Sequence, residues 1–371
     1  MDQRTQFVGI DLHKADAVVS ILPEGAVICD GVVRLPNEEA PLRRFFTRLS
    51  RRGPIEACYE ASGCGYVLQR RMASWGHKCV VIAPSKAPRR PGDHIKTDRR
   101  DAERLAFDLR AGLLTAVHIP TESDERARGL LRSRDHLRQD VHGTKQYVLK
   151  FLNRKELKRE GKNWTVGFHT WLRSLRFEGA DRYVFASQLG LLETKLATLA
   201  DTDREIEVLA QDERYRDAVA RLRCFRGIET LTAMTLLTEL IDIRRFRGPR
   251  SLVDYVGLGV SEYSSGSRVR RGGITKAGNA HVRRILVECA WHYRHRPAVG
   301  ATLAKRQAGQ DPAVIAHAWR AQRRLNRKYR TLIERKPAQV VVTAVARELV
   351  GFIWAVLQND PCYLRSRRRE G

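Results

Sequence analysis

Several features that identify common classes of protein are missing from this sequence. The seven cysteines form no CxxC pair, so neither a thiolate zinc site nor a dithiol redox motif is indicated. A phosphate-binding loop with its lysine and a complete dinucleotide fingerprint are both lacking, which argues against ATP or NAD as a cofactor. No signal peptide opens the chain, and its longest apolar stretch, 340–357, is interrupted by Arg347 and Glu348. We therefore expect a cytoplasmic protein with reduced thiols and no membrane span.

Acidic side chains are scarce, above all in the last part of the chain. The 371 residues carry 68 Lys and Arg against 42 Asp and Glu, a formal net charge of +26. Residues 221–371 hold 30 of the basic but only 11 of the acidic side chains. This surplus predicts a polyanionic partner, since neutralising phosphates releases counterions and drives binding. Charge alone indicates nucleic acid and does not separate an enzyme from a structural basic protein.

The hydrophobic pattern of the first 120 residues alternates between strand and helix. The order is typical of an α/β domain with a mixed sheet, whose first three strands form a meander. We predict strands at 7–12, 17–22, 27–35, 55–60 and 79–83, and helices around 42–49, 65–75 and 98–112.

The remainder predicts helices. Two heptad-like runs, 122–151 and 192–206, favour an antiparallel hairpin or the seam of a coiled-coil dimer. Between them, Trp164 and Trp171 lie at helical spacing, which fits either a short packed helix or stacking on nucleic acid. Further on, a turn at Gly227 between two helices is similar to a helix-hairpin-helix.

We divide the chain into three predicted domains. Residues 1–120 form an α/β catalytic domain, and residues 121–215 form a coiled-coil or helical linker domain. Residues 216–371 form a mainly helical, basic C-terminal domain.

Four acidic residues stand out by their position. Asp11 and Glu60 each end an apolar strand, in FVGID and IEACYE. Asp98 and Asp101 lie three residues apart at the start of a predicted helix, so their side chains project from one face. If the first strand is central, the strand ends and the start of this helix converge on one point. The four carboxylates are therefore predicted to form one site.

A cluster of carboxylates is costly without a cation. Two carboxylates about 4 Å apart repel by roughly 1 kcal/mol even at the dielectric constant of water. The set therefore predicts Mg²⁺, with Mn²⁺ as the alternative, for metal-assisted phosphoryl transfer. Taken singly, Asp98 could instead cap its helix and Asp11 could form a turn. Three other acids, Asp16, Glu103 and Asp108, lack this placement and are expected to be solvated.

The segments that carry these acids resemble a known family. GIDLHK, YEASGCGY and KTDRRDA, together with DYVGLGVSEYSSGSRVRRGGITKAGNAHVRR, are similar to the DEDD-type transposases of bacterial insertion sequences, the IS110 family. The resemblance covers nearly the whole chain. It implies an RNase H-like (RuvC-like) N-terminal domain, whose four acids correspond to Asp11, Glu60, Asp98 and Asp101. It also implies cleavage and rejoining of DNA, with a structured guide RNA as in the "bridge" recombinases.

A second candidate site is the serine-rich segment 262–273. From the residues alone it is a flexible basic loop whose serines contact phosphate or cap the backbone. The resemblance implies that a serine here forms a covalent phosphoserine link with a DNA end. The match falls on Ser265, with Ser264 and Ser261 as alternatives. The resemblance further implies a composite site, in which Ser265 of one subunit meets the carboxylates of another, and hence a dimer or tetramer.

Basic side chains in and after this segment predict contacts with phosphates. Their expected partners are the DNA of the element's ends and of its target and, by the resemblance, the guide RNA. A bacterial protein of this kind would work in the cytoplasm, associated with the nucleoid. The residues assigned to nucleic-acid binding are Arg268, Arg270, Arg271, Lys276, Arg283 and Arg284.

Two alternatives to a transposase or site-specific recombinase remain open at this point. A hydrolytic nuclease of the Holliday-junction type would use the same acids and Mg²⁺ but would need no serine. A non-catalytic nucleic-acid-binding scaffold would need neither acids nor metal. A protein–DNA adduct at the serine separates the first two functions, and insensitivity to EDTA would identify the third.

Overall fold

The chain divides into two compact units, Met1–Pro120 and Thr121–Gly371. The computed structural model describes residues 4–84, 97–266 and 268–358. Within these residues all six cysteines are free thiols, and Cys362 lies outside them. The further domain boundary that we predict near residue 215 stays a prediction.

The first unit is a five-stranded mixed sheet with helices on both faces. The strand order is β3-β2-β1-β4-β5, in which the first three strands are antiparallel neighbours and β1, β4 and β5 are parallel. The predicted mixed sheet and the central position of the first strand are confirmed. The elements are β1 (Gln6–Leu12), β2 (Asp16–Pro23), β3 (Gly31–Pro36), α1 (Glu39–Leu49), β4 (Ile55–Glu60), α2 (Val67–Ser74), β5 (Lys78–Ile82) and α3 (Asp98–Arg110).

The alternation of side chains along β1 creates the two faces of the sheet. Val8 and Ile10 are fully buried in the core that β1 shares with α1 and α2. Gly9 and Asp11 point to the other face, where α3 packs. A Cβ atom on Gly9 would lie 2.0 Å from the carbonyl oxygen of Ala102, so α3 crosses β1 at a distance that only glycine permits.

Two predictions in this unit are wrong in detail. Strand β3 begins at Gly31 rather than at residue 27, since Val27 and Ile28 are 85% and 75% exposed in the loop that precedes it. Asp108 is buried and not solvated. It lies three residues after Leu105 on α3 and therefore shares the face that packs on the sheet.

The second unit is helical apart from one short hairpin of strands, as far as its described residues extend. The predicted helical character of this part of the chain is confirmed. Its elements are α4 (Glu122–Arg154), α5 (Val166–Ser174), α6 (Gly179–Leu209), α7 (Glu213–Arg223), α8 (Thr230–Leu240), α9 (Pro249–Tyr255), β6 (Val260–Glu262), β7 (Arg271–Ile274), α10 (Ala280–Ala290), α11 (Ala301–Gln307), α12 (Pro312–Ile333) and α13 (Ala338–Leu357).

The two long helices α4 and α6 pack against each other as an antiparallel hairpin. Near one end, Arg134 Nε lies 2.8 Å from Asp203 Oδ1. Further along, Lys195 Nζ donates to Thr144 Oγ1 at 3.2 Å. Because residues later in α4 meet residues earlier in α6, the two helices of this hairpin run in opposite directions. Of the two predicted arrangements, the hairpin within one chain is therefore observed.

The aromatic segment between these helices forms a packed helix, α5. Phe168 and Leu172 are buried, and they pack with Phe151 of α4 and Phe185 of α6. Thr165 caps the helix by accepting a hydrogen bond from the backbone N–H of Phe168 at 3.2 Å. The segment thus forms a small core at the end of the hairpin.

Helix α13 is the one described helix that is long and apolar enough to cross a membrane, by length and composition only. Its side chains at Val341, Val345 and Leu349 are fully buried in the core of the second unit. Burial of this kind is typical of the core helix of a globular domain.

Candidate active site

Two of the four predicted acids lie at the ends of adjacent parallel strands. Asp11 is the sixth residue of β1 and Glu60 is the last residue of β4. Asp11 shares the face of Gly9, and Glu60 shares that of Cys58, whose thiol donates to the carbonyl oxygen of Leu105 in α3. Both carboxylates therefore lie on the face of the sheet that α3 covers.

The other two acids lie in the first turn of α3. Thr97, and not Asp98, is the N-cap, since its side chain accepts a hydrogen bond from the N–H of Arg100 at 3.3 Å. Asp98 and Asp101 are thereby left to point from the start of the helix, where the helix dipole favours negative charge. The side chain of Asp101 is 15% exposed, whereas that of Asp98 is 42% exposed.

His13 joins Asp11 to Asp98. Its Nε2 atom lies 3.2 Å from Oδ2 of Asp11 and 3.7 Å from Oδ1 of Asp98. One ligand atom from each of these three residues lies within 4.8 Å of the others. The sequence prediction missed His13 as a site residue, although it lies in the GIDLHK segment two positions after Asp11.

Two arginines bridge the same carboxylates. Arg34 Nη2 lies 2.7 Å from Oδ2 of Asp98, and Nη1 of the same guanidinium contacts Asp16. Arg104 Nη2 lies 3.2 Å from Asp101 and 3.4 Å from Oε1 of Glu60. Arg104 thus connects the two acids that His13 does not reach. His13 thus lies between Asp11 and Asp98, and Arg104 lies between Asp101 and Glu60. The group of possible metal ligands within 4.8 Å of one another holds Asp11, His13 and Asp98.

The surroundings of Asp11 shift the pKa of its carboxyl. Burial raises the pKa of the Asp11 carboxyl above its usual value, and the negative charges of Asp98 and Asp101 raise it further, whereas His13 opposes the shift. A carboxylate crowded in this way is stabilised by an added cation. The carboxylate oxygens of Asp11 and Asp98 suit a hard divalent cation such as Mg²⁺ or Mn²⁺, so these two residues fit such an ion.

The predicted serine lies in the second unit, at the tip of a strand hairpin. Strands β6 and β7 pair antiparallel, and Ser265 and Arg268 form an isolated bridge beyond them. Gly266 has a φ of +57°, which favours glycine at this turn. The predicted flexible loop is wrong where the two strands pair. Backbone hydrogen bonds connect them there, for example from the N–H of Tyr263 to the carbonyl oxygen of Arg270 at 2.9 Å.

The three candidate serines differ in what their hydroxyls do. Ser261 Oγ donates to the carbonyl oxygen of Gly273 at 3.1 Å. Ser264 Oγ donates to Oε1 of Glu262 at 2.8 Å. Ser265 is exposed, and among the described residues its hydroxyl has no hydrogen-bond partner. Its side chain is therefore the one of the three that is available to a ligand.

The base of this hairpin is held against the helices. A Cβ atom on Gly278, whose φ is +114°, would lie 2.0 Å from the carbonyl oxygen of Tyr255. Asn279 Nδ2 donates to Oε2 of Glu239 at 2.7 Å, and Arg132 Nε donates to Oε1 of the same carboxylate at 2.7 Å. Glu239 is only 1% exposed, so this buried carboxylate fixes the end of the hairpin to α4 and α8.

The basic residues assigned to nucleic acid fall into two groups. Arg268, Arg270, Arg271 and Lys276 are exposed on or next to the hairpin, where Arg271 Nε lies 3.5 Å from Oε2 of Glu262. The other two contact the protein itself: Arg283 donates to the carbonyl oxygen of Val256 at 2.9 Å, and Arg284 lies 2.8 Å from Asp135 and 2.9 Å from Glu288. Their assignment to phosphates stays a prediction.

Comparison with known proteins relates both the N-terminal and the C-terminal part of the chain to transposases. Residues 8–155 match the DEDD transposase domain of the IS110 family, and residues 219–304 match the family described as Transposase IS116/IS110/IS902. A putative transposase (y4qE) of Sinorhizobium fredii is 40% identical over 96% of this chain and 90% of its own length. The transposase of insertion sequence element IS1533 from Leptospira borgpetersenii is 33% identical over 89% of this chain and 97% of its own. The chain therefore belongs to the IS116/IS110/IS902 family of transposases.

Proposed function

We propose that this transposase excises and inserts its insertion sequence by cleaving and rejoining DNA with a Mg²⁺-carboxylate site and a serine nucleophile. The observation that carries the proposal is the group of Asp11, His13 and Asp98, in which one ligand atom of each residue lies within 4.8 Å of the others. Burial raises the pKa of the Asp11 carboxyl, and the charges of Asp98 and Asp101 raise it further. Because the chain belongs to a family of transposases, we no longer consider a non-catalytic nucleic-acid-binding scaffold as its function. A hydrolytic nuclease remains the rival chemistry, and the experiments below distinguish it.

Asp11, Glu60, Asp98 and Asp101 are the proposed metal ligands. Mn²⁺ takes the same oxygen donors as Mg²⁺ and would serve in vitro. When bound, such an ion polarises a phosphoryl oxygen and offsets the charge that develops during phosphoryl transfer. Arg34 and Arg104 hold the carboxylates in place around the ligand oxygens.

Ser265 is the proposed nucleophile. In the cleavage step its Oγ atom forms a bond to phosphorus, the bond from phosphorus to one deoxyribose oxygen breaks, and that oxygen leaves as a hydroxyl. The serine proton passes to water or to a base at the site, and the leaving oxygen takes up a proton from the same water or base, so that the step is balanced. In rejoining, the hydroxyl of another DNA end attacks the phosphoserine and releases Ser265. The exposed Ser265 hydroxyl supports this role over Ser264 and Ser261, whose hydroxyls are engaged.

The first unit is proposed to have an RNase H-like (RuvC-like) fold. The support is its sheet of three antiparallel strands continued by two parallel ones, with the acids on the face that α3 covers. Residues 121–215 and 216–371 are proposed to act as a linker domain and a basic DNA-handling domain.

The resemblance implies a composite site, in which Ser265 of one subunit meets the carboxylates of another. On this ground we propose a dimer or tetramer. The guide RNA is proposed from the resemblance to bridge recombinases, and the basic residues Arg268, Arg270, Arg271 and Lys276 are proposed to hold phosphates of DNA or of this RNA. The proposed location is the bacterial cytoplasm, at the nucleoid.

An excision assay in cells tests this function. Asp11→Ala and Ser265→Ala should each abolish excision while binding of element DNA is retained, because neither substitution removes a basic side chain. The matched controls are Asp30→Ala, an acid outside the cluster, and Ser264→Ala, and both should remain active. Excision that survives Asp11→Ala removes Asp11 from the catalytic set, and excision that survives Ser265→Ala removes the serine.

A further inference from the structure

Helix α12 carries charge of one sign only. None of its 22 residues is acidic. The longer helices α4 and α6 mix both signs, as exposed helices ordinarily do, because opposite charges three or four residues apart stabilise a helix and like charges destabilise it. The repulsion along α12 would be relieved by a polyanion. Its basic side chains are Arg320, Arg323, Arg324, Arg327, Lys328 and Arg330.

Two of these cations are neutralised inside the unit. Arg324 Nε contacts Oε1 of Glu348 on α13, and Lys328 Nζ lies 2.7 Å from Oε2 of the same carboxylate. On the inner side of the helix, the buried Asn326 donates to the carbonyl oxygens of Tyr293 and His295, at 3.0 and 2.9 Å. These contacts fix the rotation of α12 and determine which of its side chains face solvent.

Three arginines remain on the outer side. Arg323, Arg327 and Arg330 are exposed, and no acidic partner is found for them within the described ranges. They follow each other at steps of four and three residues, so they lie on one face at rises of about 6 and 4.5 Å. One turn earlier, Trp319 leaves 36% of its surface exposed. A row of arginines beside an exposed indole is typical of nucleic-acid binding surfaces.

We propose that this outer face of α12, formed by Trp319, Arg323, Arg327 and Arg330, binds the phosphodiester backbone of duplex DNA. Charge complementarity carries the proposal, and membership of a transposase family makes DNA the polyanion that this chain handles. The face lies beyond residue 304, where the family match ends, and it is separate in sequence from the serine hairpin. Contacts to phosphates position DNA without reading its sequence, so the face holds any duplex. The proposal does not depend on Ser265 or on the carboxylates.

The test measures binding of the full-length protein to a duplex of arbitrary sequence, in EDTA so that no cleavage occurs. The variant replaces Arg323, Arg327 and Arg330 with Gln, which keeps good helix propensity. Log K falls linearly with the logarithm of the salt concentration, and each lost phosphate contact should make this slope less steep by about 0.9. For three contacts, the wild type should lose about 40-fold more affinity than the variant between 50 and 200 mM salt.

A matched control removes the same charge elsewhere in the unit. Arg126, Arg204 and Arg216 are exposed, and each already pairs with an acid, so their replacement by Gln should leave the slope nearly unchanged. Circular dichroism of both variants checks that they fold. Equal slopes for the two triple variants would overturn the proposal. A loss seen with a folded RNA of similar charge but not with duplex DNA would overturn the assignment to DNA.

Discussion

Arg34 Nη2 lies 2.7 Å from Oδ2 of Asp98, so one oxygen of a proposed metal ligand already accepts a hydrogen bond from a guanidinium. The other oxygen of Asp98 faces His13 Nε2 at 3.7 Å. In the absence of a metal, Arg34 supplies positive charge to the Asp98 carboxylate. A divalent cation that enters the site is repelled by Arg34, and its affinity reflects that competition.

Replacing Arg34 with Gln should therefore tighten metal binding. A guanidinium about 5 Å from a divalent ion opposes it by roughly 1–2 kcal/mol at the dielectric constant of water, and salt screens part of this. We expect the dissociation constant for Mn²⁺ to fall about three- to tenfold, measured by calorimetry without DNA. Arg52→Gln is the control, since Arg52 pairs with Asp30 and is similarly exposed (60% against 61%). Unchanged or weaker binding in Arg34→Gln would contradict competition at Asp98.

Replacing Asp11 with Asn should stabilise the protein in EDTA. The pKa of Asp11 is raised in the folded state, so above that pKa the ionised carboxylate destabilises the fold relative to the unfolded chain. At pH 7 we expect the melting temperature to rise by roughly 2 °C. The gain should disappear as the pH falls below the unfolded value, near 3.9.

The same variant should lose the response to metal. Added Mn²⁺ should raise the melting temperature of the wild type much more than that of Asp11→Asn, because binding to the folded state alone stabilises it. Asp30→Asn, at an exposed ion pair in the same unit, should respond like the wild type. An equal response in Asp11→Asn would exclude Asp11 as a ligand.

Replacing Glu239 with Gln should destabilise the second unit and loosen the serine hairpin. Burial raises the pKa of Glu239, but the hydrogen bonds from Arg132 and Asn279 outweigh it and hold the pKa below its usual value. The stabilisation is thus complete above the unfolded pKa, near 4.3, and is lost as the pH falls through the folded pKa. We expect the free energy of unfolding to fall by about 2 kcal/mol at pH 7, in urea titrations followed by circular dichroism.

The pH dependence provides the check on this explanation. The difference between Glu239→Gln and the wild type should shrink as the pH is lowered below 4, because the wild-type carboxylate then becomes protonated. Glu288→Gln is the control, since Glu288 is 58% exposed and pairs with Arg284 at the surface. A loss of stability that is the same at every pH would show that the charge of Glu239 is not its cause.

The carboxylate set could be predicted because strand ends leave a clear pattern. Asp11 and Glu60 end apolar runs, and the central position of β1, which the prediction assumed, is observed. Asp98 and Asp101 are spaced for one helix face. Each of these is a local signal. The fold places Asp11 and Asp98 in one group of possible ligands and connects Asp101 to Glu60 through Arg104, and the four-acid metal site stays a prediction.

The cations around the acids could not be found in this way. Arg34 lies in β3, an edge strand, and the alternation of side chains along a strand predicts only the face of the sheet on which each one lies. Its partner Asp98 is 64 residues away in the sequence. Arg104 follows Asp101 by three residues, so helical spacing does indicate that pair, but not the bridge to Glu60. Asp108 lies at neither a strand end nor a helix start, which predicts a solvated side chain, whereas its place on the inner face of α3 buries it.

The strands of the serine hairpin were also missed. β6 and β7 have three and four residues, and the second contains two glycines, so neither shows an apolar alternation. Their pairing depends on contacts at the base of the hairpin, at Gly278 and Asn279, which involve residues distant in sequence.

The most direct test of the proposed chemistry is to trap the enzyme on a suicide DNA substrate, from which the cleaved end diffuses away, and to map the adduct by mass spectrometry. In the presence of Mg²⁺ the wild type and Ser264→Ala should carry a DNA remnant on Ser265. Neither Ser265→Ala nor Asp11→Ala should form the adduct. Free 5′-phosphate ends without any protein–DNA link, or an adduct that persists in Ser265→Ala, would contradict the proposal that this transposase cuts DNA with Ser265 beside a metal-carboxylate site.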